Sequence, residues 1–239
     1  MSTFDKILSD ILAFIYPDKC MICGVHVERG VHNICMLCRY KIPLTGYYNR
    51  ADNPIKEYFD TLIPTVNCSA MIYYKSESLW RRAIHRFKYS AAWNIAYRMG
   101  RWYGHELKAS GLYDDVDVII PVPLYWTKTM LRGYNQCNYI AQGMAKEMGV
   151  KVIRYNAYRK RNNPSQTTQS SIERWENVDG IFGVRNPESL RNKHILLVDD
   201  VLTTGATLHS CAKAILSAAP TCRISIATLA VAGRLARHL

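Results

Sequence analysis

No stretch of the 239 residues comes near the roughly 18 consecutive apolar positions that a membrane-spanning helix needs. There is no internal repeat and no low-complexity tract. Phe4 to Tyr16 is apolar, but Asp5 and Asp10 interrupt it, and neither a basic lead-in nor a small-residue cleavage site accompanies it. It therefore does not read as a secretion signal, and the expected compartment is the cytoplasm. Phe4, Ile7, Leu8, Ile11, Leu12 and Ile15 instead fall on one broad face, as in an amphipathic helix. Acidic residues are scarce: 19 Asp and Glu stand against 31 Lys and Arg, a net charge of +12. That surplus fits an anionic partner, nucleic acid or a phosphorylated small molecule, without choosing between them.

Hydrophobic residues make up 49% of the chain, enough for a sizeable core, which excludes a disordered or fibrous protein. The length suits one full domain and a smaller appendage. A soft boundary falls at residues 43 to 65, where Pro43, Gly46, Asn53, Pro54 and Pro64 interrupt the periodicity. Residues 1–60 then form an N-terminal helix and a small cysteine module, and 61–239 the main domain. In the latter, strands are expected at Thr65–Tyr74, Val116–Val122, Lys151–Tyr155, Ile195–Val198 and Arg223–Ala230. Helices are expected at Leu79–Tyr89, Trp93–Lys108, Asn135–Met148 (closed by Gly149) and Ala206–Ala218. A polar segment from Arg159 to Ser171 leads into a short helix through Trp175. Strands alternating with helices give an α/β fold, a parallel sheet with helices on both faces.

Four of the eight cysteines form two close pairs, Cys20/Cys23 and Cys35/Cys38, eleven residues apart. Without a secretion signal, paired C-x-x-C motifs favour a metal over disulfides. Each pair turns two sulfurs to one side, and two pairs complete a tetrahedron around zinc or iron. Gly24 suits the tight turn this requires. Four protein ligands leave no open position, so the metal would be structural. His26 and His32 lie nearby but are not needed.

The most informative string is Ile195-Leu-Leu-Val-Asp-Asp-Val-Leu-Thr-Thr-Gly-Ala-Thr207. An apolar strand carries Asp199 and Asp200 to its C-terminal edge, the side of an open α/β sheet where ligands bind. The loop of Thr203, Thr204, Gly205, Ala206 and Thr207 then opens a helix, whose N-terminus favours a phosphate. Gly205 lets the backbone approach closely. The carboxylates suit the vicinal hydroxyls of a sugar or the waters around magnesium. Phosphate at one end and diol at the other describe a ribose 5-phosphate.

This string resembles the phosphoribosyl pyrophosphate signature of type I phosphoribosyltransferases, and the whole chain resembles the ComF family, which joins an N-terminal zinc ribbon to such a domain. The resemblance also rests on Phe87-Lys88-Tyr89, Pro121-Val122-Pro123-Leu124, Arg132-Gly133-Tyr134-Asn135-Gln136, Pro164-Ser165-Gln166-Thr167, Glu173-Arg174, Asn177-Val178 and Phe182. It implies that Asp199 and Asp200 hold the ribose hydroxyls and that Thr203 to Thr207 cradle the 5-phosphate, with Val198 and Val201 flanking the pair. Lys88 and Arg132 would supply charge to the pyrophosphate, and Gln166, Arg174 and Asn177 would belong to a cover. Pro121 and Pro123 have no N–H, so only Val122 and Leu124 can donate from their turn, and the turn admits a cis bond. The implied cofactors are structural zinc and magnesium with phosphoribosyl pyrophosphate; the implied reaction is phosphoribosyl transfer to an unspecified acceptor. A second expectation is a binding factor in DNA uptake, contacting single-stranded DNA or DNA-uptake proteins. For it, Trp80 to Tyr89 offers the best basic, aromatic surface. His85, His105, His194 and His209 have no motif context and read as structural or solvated.

Overall fold

The computed structural model describes residues 19–27, 34–74, 78–89, 92–161 and 180–233, with only the backbone of 87–89. The apolar helix at Phe4–Tyr16, most of the polar segment after Arg159 and the helix through Trp175 lie outside them.

Five parallel strands form the central sheet in the order β1 (Cys68–Tyr73), β7 (Arg223–Val231), β6 (His194–Leu202), β2 (Val118–Pro121) and β3 (Lys151–Val152). The middle strands read as nearly unbroken apolar runs because both faces are covered. Alternate residues of β6 serve the two sides: Leu196 and Val198 join one core, Ile195 and Leu197 the other. The first core is covered by α3 (Leu79–Tyr89), α4 (Trp93–Ser110) and α6 (Gln136–Met148), through Ile84, Met99, Tyr103, Ile140 and Met144. The second is covered by α2 (Pro54–Asp60) and α7 (Ala206–Ala218), through Ile55, Phe59, Leu208, Ala212 and Ile215. Helices α4 and α6 approach so closely that a Cβ at Gly100 would stand 2.2 Å from the Ile140 carbonyl oxygen, which fixes α6 against the sheet.

Two parts of the chain differ from expectation. Strand β3 stops at Val152, since β2 offers it only two paired positions. The segment beside the polar stretch carries an antiparallel ribbon of β4 (Ala157–Arg159) and β5 (Phe182–Val184), and a short helix, α5 (Trp126–Arg132), precedes α6. Their runs of three and seven residues are too brief for periodicity to declare. No peptide bond among the described residues is cis.

The N-terminal segments, among them the short helix α1 (Met36–Tyr40), pack onto the same two cores. Asn53 caps α2 by accepting from the Ile55 and Lys56 amides, with Pro54 in the first turn. Cys20, Met21, Ile22, Ile34 and Cys38 join the core that holds Trp80, Ala83 and Ile84. The Arg86 guanidinium donates to the Met21 carbonyl at 3.4 Å.

Strand β6 extends four residues beyond the expected Val198, through the acidic pair, because β7 keeps pairing with it as far as Leu202↔Val231. Strand β2 stops at Pro121↔Val198. Among the described residues, one edge of β6 past Val198 is thus bare. The chain leaves β6 through α7 toward β7 on one side, and leaves β2 through α6 toward β3 on the other. The bare edge is therefore the topological switch point, the crevice where doubly wound sheets take their ligands.

Candidate functional site

Asp199 and residues 201–208 line an open recess at this crevice. Gly205 takes a left-handed φ of 77° at the start of α7, a conformation glycine adopts without strain. A Cβ there would also stand 3.0 Å from a Tyr58 ring carbon and 3.3 Å from Phe59. The N-cap residue Gly205 has no side chain with which to cap α7, and an anion suits the first amides of such a helix. Helix α2 supports the loop: the Tyr58 hydroxyl donates to the Thr204 carbonyl at 2.7 Å.

The two carboxylates are not equivalent. Asp199 is half-buried and lines the recess, whereas Asp200 is 6% exposed. Asp200 Oδ2 accepts from Gln136 Nε2 at 2.7 Å, and Asp199 Oδ1 accepts from the Cys137 thiol at 3.3 Å and from the Asp200 amide at 2.8 Å. Gln136 Oε1 in turn accepts from Arg132 at 3.3 Å.

Two further cations gather here. Arg159, at the end of β4, lies 5.6 Å from the centre of the Phe182 ring, and its buried Nε has no hydrogen-bond partner among the described residues. Burial pulls its pKa down, while the charge of Asp199 works the other way. Burial also lowers Lys128, on α5, with the charges of Arg159 and Arg132 adding to that shift. Lys128 thus feels the charges of Arg159 and Arg132, and Arg159 feels that of Asp199.

The sequence-predicted residues divide accordingly. Asp199, Val201, Thr203, Thr204, Gly205, Ala206 and Thr207 share the recess. Val198 is buried in the core beneath it. Arg132 reaches the pair through Gln136. The Val122 amide, expected to face a ligand, donates instead to the Val198 carbonyl at 2.8 Å and prolongs the sheet ladder. Of the two donors expected at that turn, only Leu124 stays outside the ladder. Lys88 lies in α3, but its side chain is outside the described residues, as are Gln166, Arg174 and Asn177. His194 is fully buried at the opposite end of β6, with Nδ1 2.9 Å from Asp115 and Nε2 2.9 Å from the Ser225 hydroxyl, a structural histidine as expected.

The four paired cysteines converge, with all sulfurs within 4.8 Å of one another. Cys23 and Cys35 sulfurs are 3.7 Å apart. A tetrahedron with metal–sulfur bonds of about 2.3 Å has edges of about 3.8 Å, so the sulfur set fits zinc. The turn is built as Gly24 anticipates: its φ is 80°, and its amide donates to the Cys20 carbonyl at 2.8 Å. The Cys35 amide points at Cys20 Sγ and the Cys38 amide at Cys35 Sγ, at 3.3 and 3.4 Å. Burial opposes charge on Cys20, but amides of Cys23, Cys35 and Ile22 outweigh it and bring the thiol to about 6. Cys38 is pushed up, by burial and then by the neighbouring thiols. His26 is exposed and outside the sulfur set.

Residues 134–238 match the phosphoribosyl transferase domain. The chain is 26% identical over 221 residues to competence protein ComFC of Bacillus subtilis, covering 91% of this chain and 87% of that one. It is 23% identical over 218 residues to competence protein F of Haemophilus influenzae, covering 82% and 89%. The DNA utilization protein YhgH of Escherichia coli O6:H1 matches 56% of this chain and 59% of its own length at 29% identity. Over most of its length the chain is thus similar to these two competence proteins.

Sequence reasoning missed Lys128, Gln136, Cys137, Arg159 and Tyr58 as parts of the candidate site. Gln136 carried a signal, standing in the quoted Arg132–Gln136 motif. Arg159 and Tyr58 carried none, since only the tertiary fold brings β4 and α2 to the end of β6.

Proposed function

We propose that this chain is a ComF-family protein that binds 5-phosphoribosyl 1-pyrophosphate at the open edge of β6 and transfers the phosphoribosyl group to an acceptor. The observation that carries this reading is the placing of Asp199 and the 203–207 loop side by side at the topological switch point. The first amides of α7 and the hydroxyls of Thr203, Thr204 and Thr207 hold the 5-phosphate. Asp199 and Asp200 accept from the ribose hydroxyls. Arg132, Lys128 and Arg159 face the pyrophosphate, with Leu124 as a further contact; Lys88 and Gln166, expected to bind the same ligand, have side chains outside the described residues. The C1–oxygen bond breaks, pyrophosphate departs with the electron pair, and the acceptor bonds to C1. Because the transition state is oxocarbenium-like, the protein's work is positioning and neutralising the departing charge, with no covalent nucleophile. Asp199 and Asp200 would hold magnesium on their side of the site, and it would supply Lewis acidity for the departure of pyrophosphate. Zinc in the cysteine cluster is structural.

Phosphorus NMR of phosphoribosyl pyrophosphate and magnesium with protein, ammonia and a set of nucleobases tests turnover. Pyrophosphate appearing with the native chain, and not with the Asp199→Asn/Asp200→Asn double variant, is expected. Equal release in both would reject the transferase reading.

A second reading, DNA handling, is favoured by the exposed Arg81, Arg82 and Arg86 on α3 and by the names of the relatives, competence and DNA utilization proteins. One expected feature is corrected: Trp80 is 2% exposed and packs edge-on against Trp102, so it is not available to stack on bases. Single-stranded DNA binding that weakens steeply with salt, and weakens again in Arg81→Glu/Arg82→Glu, would support this reading. Salt-insensitive binding would remove it.

A further inference from the structure

We infer that Gln136 is a positioning residue that sets the Asp200 carboxylate for a 1,2-diol, and so makes the site prefer ribose over 2-deoxyribose phosphates. The inference rests on the phosphoribosyl reading above and says which side chain confers its sugar selectivity.

Gln136 and Cys137 are consecutive in the first turn of α6, and they serve consecutive carboxylates: Gln136 reaches Asp200 and Cys137 reaches Asp199. Asn135 fixes that turn at both ends, accepting from the Cys137 amide at 3.0 Å and donating to the Val122 carbonyl at the end of β2, also at 3.0 Å. The carboxylate pair on β6 is thus referenced to β2 across the crevice itself.

The Gln136 amide has one orientation compatible with its neighbours. Arg132 is always a donor, so it must meet Oε1, which leaves Nε2 for Asp200. A flipped amide would set donor against donor at Arg132 and acceptor against acceptor at Asp200. Gln136 and Asp200 are both nearly inaccessible, at 3% and 6% exposure, so water is a poor substitute for this bond. With Oδ2 engaged by Gln136, the rotation of the Asp200 carboxylate is set, and its orientation toward a second sugar hydroxyl is fixed before ligand arrives. Pre-organisation of this kind discriminates ligands that present that hydroxyl from those that lack it.

The test is isothermal titration of the full chain, with magnesium, by ribose 5-phosphate and by 2-deoxyribose 5-phosphate. The native chain is expected to favour ribose by about 10-fold or more. Gln136→Met keeps the side-chain length and removes the amide. It is expected to lose most of that preference while its affinity for the deoxy sugar stays within about threefold. A merely structural role would weaken both ligands alike and leave the ratio intact. Should Gln136→Met not fold, Gln136→Asn, which withdraws the amide by one methylene, gives the same comparison. A variant that retains the native ratio overturns the inference, and so does equal weakening of both sugars. A native chain that binds neither sugar overturns the phosphoribosyl reading itself.

Discussion

The cysteine cluster and the acidic edge are both short motifs, yet they are built in opposite ways. Every sulfur of the cluster comes from positions 20 to 38, and the turn at Gly24 is closed by hydrogen bonds within that stretch. At the acidic edge the partners of Asp199 and Asp200 stand 62 and 64 positions away in the chain, and Tyr58 supports the loop from 146 positions away. A local site is specified by its ligand types. A distributed site is specified by the sheet that gathers it, so its outer members have no signature of their own.

The sharpest contrast between the two comes from removing one ligand of each. Cys20→Ala takes a buried sulfur from the cluster and from the core beside α3. The expected outcome is metal content falling from one zinc per chain to none, with a stability loss of several kcal/mol, on the order of that for other structural zinc sites. Elemental analysis and a urea melt check it. Asp199→Asn is expected to do the reverse. Affinity for phosphoribosyl pyrophosphate falls by about 100-fold or more while the melting temperature barely moves, because Asp199 faces the recess rather than the core. A stability loss in Asp199→Asn equal to that of Cys20→Ala would erase the distinction.

The same contrast explains what the sequence could show. The α/β class, the helices at 79–89 and 136–148, the Gly149 stop and the turn at Gly24 follow from periodicity and glycine chemistry acting over a few residues. The 203–207 loop was legible because a whole strand–loop–helix unit lies in one run. The end of β6 was not: its reach to Leu202 depends on β7 continuing beside it and β2 stopping. Arg159 was not either, since β4 pairs with β5 only across a long intervening segment. Trp80 misled for a related reason, as an aromatic amid arginines reads as exposed until Trp102 is seen to cover it.

Smaller effects sharpen the comparison. Gly205→Ala forces a left-handed φ on a side chain that also crowds Tyr58 and Phe59. It is expected to cost about 1–2 kcal/mol of stability. It should also weaken ribose 5-phosphate binding by about 10-fold, a loss that calorimetry would register alongside the shifted melt. Gly24→Ala carries the same strain with open space around its Cβ, and should alter metal affinity without touching sugar phosphate binding.

The mildest expectation concerns pH, at the end of β6 remote from both sites. Burial holds His194 below its ordinary 6.5, with Asp115 working against that shift. The unfolded chain therefore takes up a proton as pH falls through about 6.5, while the folded chain resists until its lower value. Stability should decline across that window and level off below the folded value. A His194→Asn variant should lack this slope, as urea titrations at successive pH values would reveal, and its sugar phosphate affinity should be unchanged.

The most direct test is phosphorus NMR of phosphoribosyl pyrophosphate and magnesium with the native chain and with Asp199→Asn, at matched zinc content and without acceptor. The account predicts that the 5-phosphate and pyrophosphate signals broaden or shift with the native chain and stay sharp with the variant. Equal perturbation by both chains, or none by either, would contradict the assignment of the β6 edge as a phosphoribosyl pyrophosphate site.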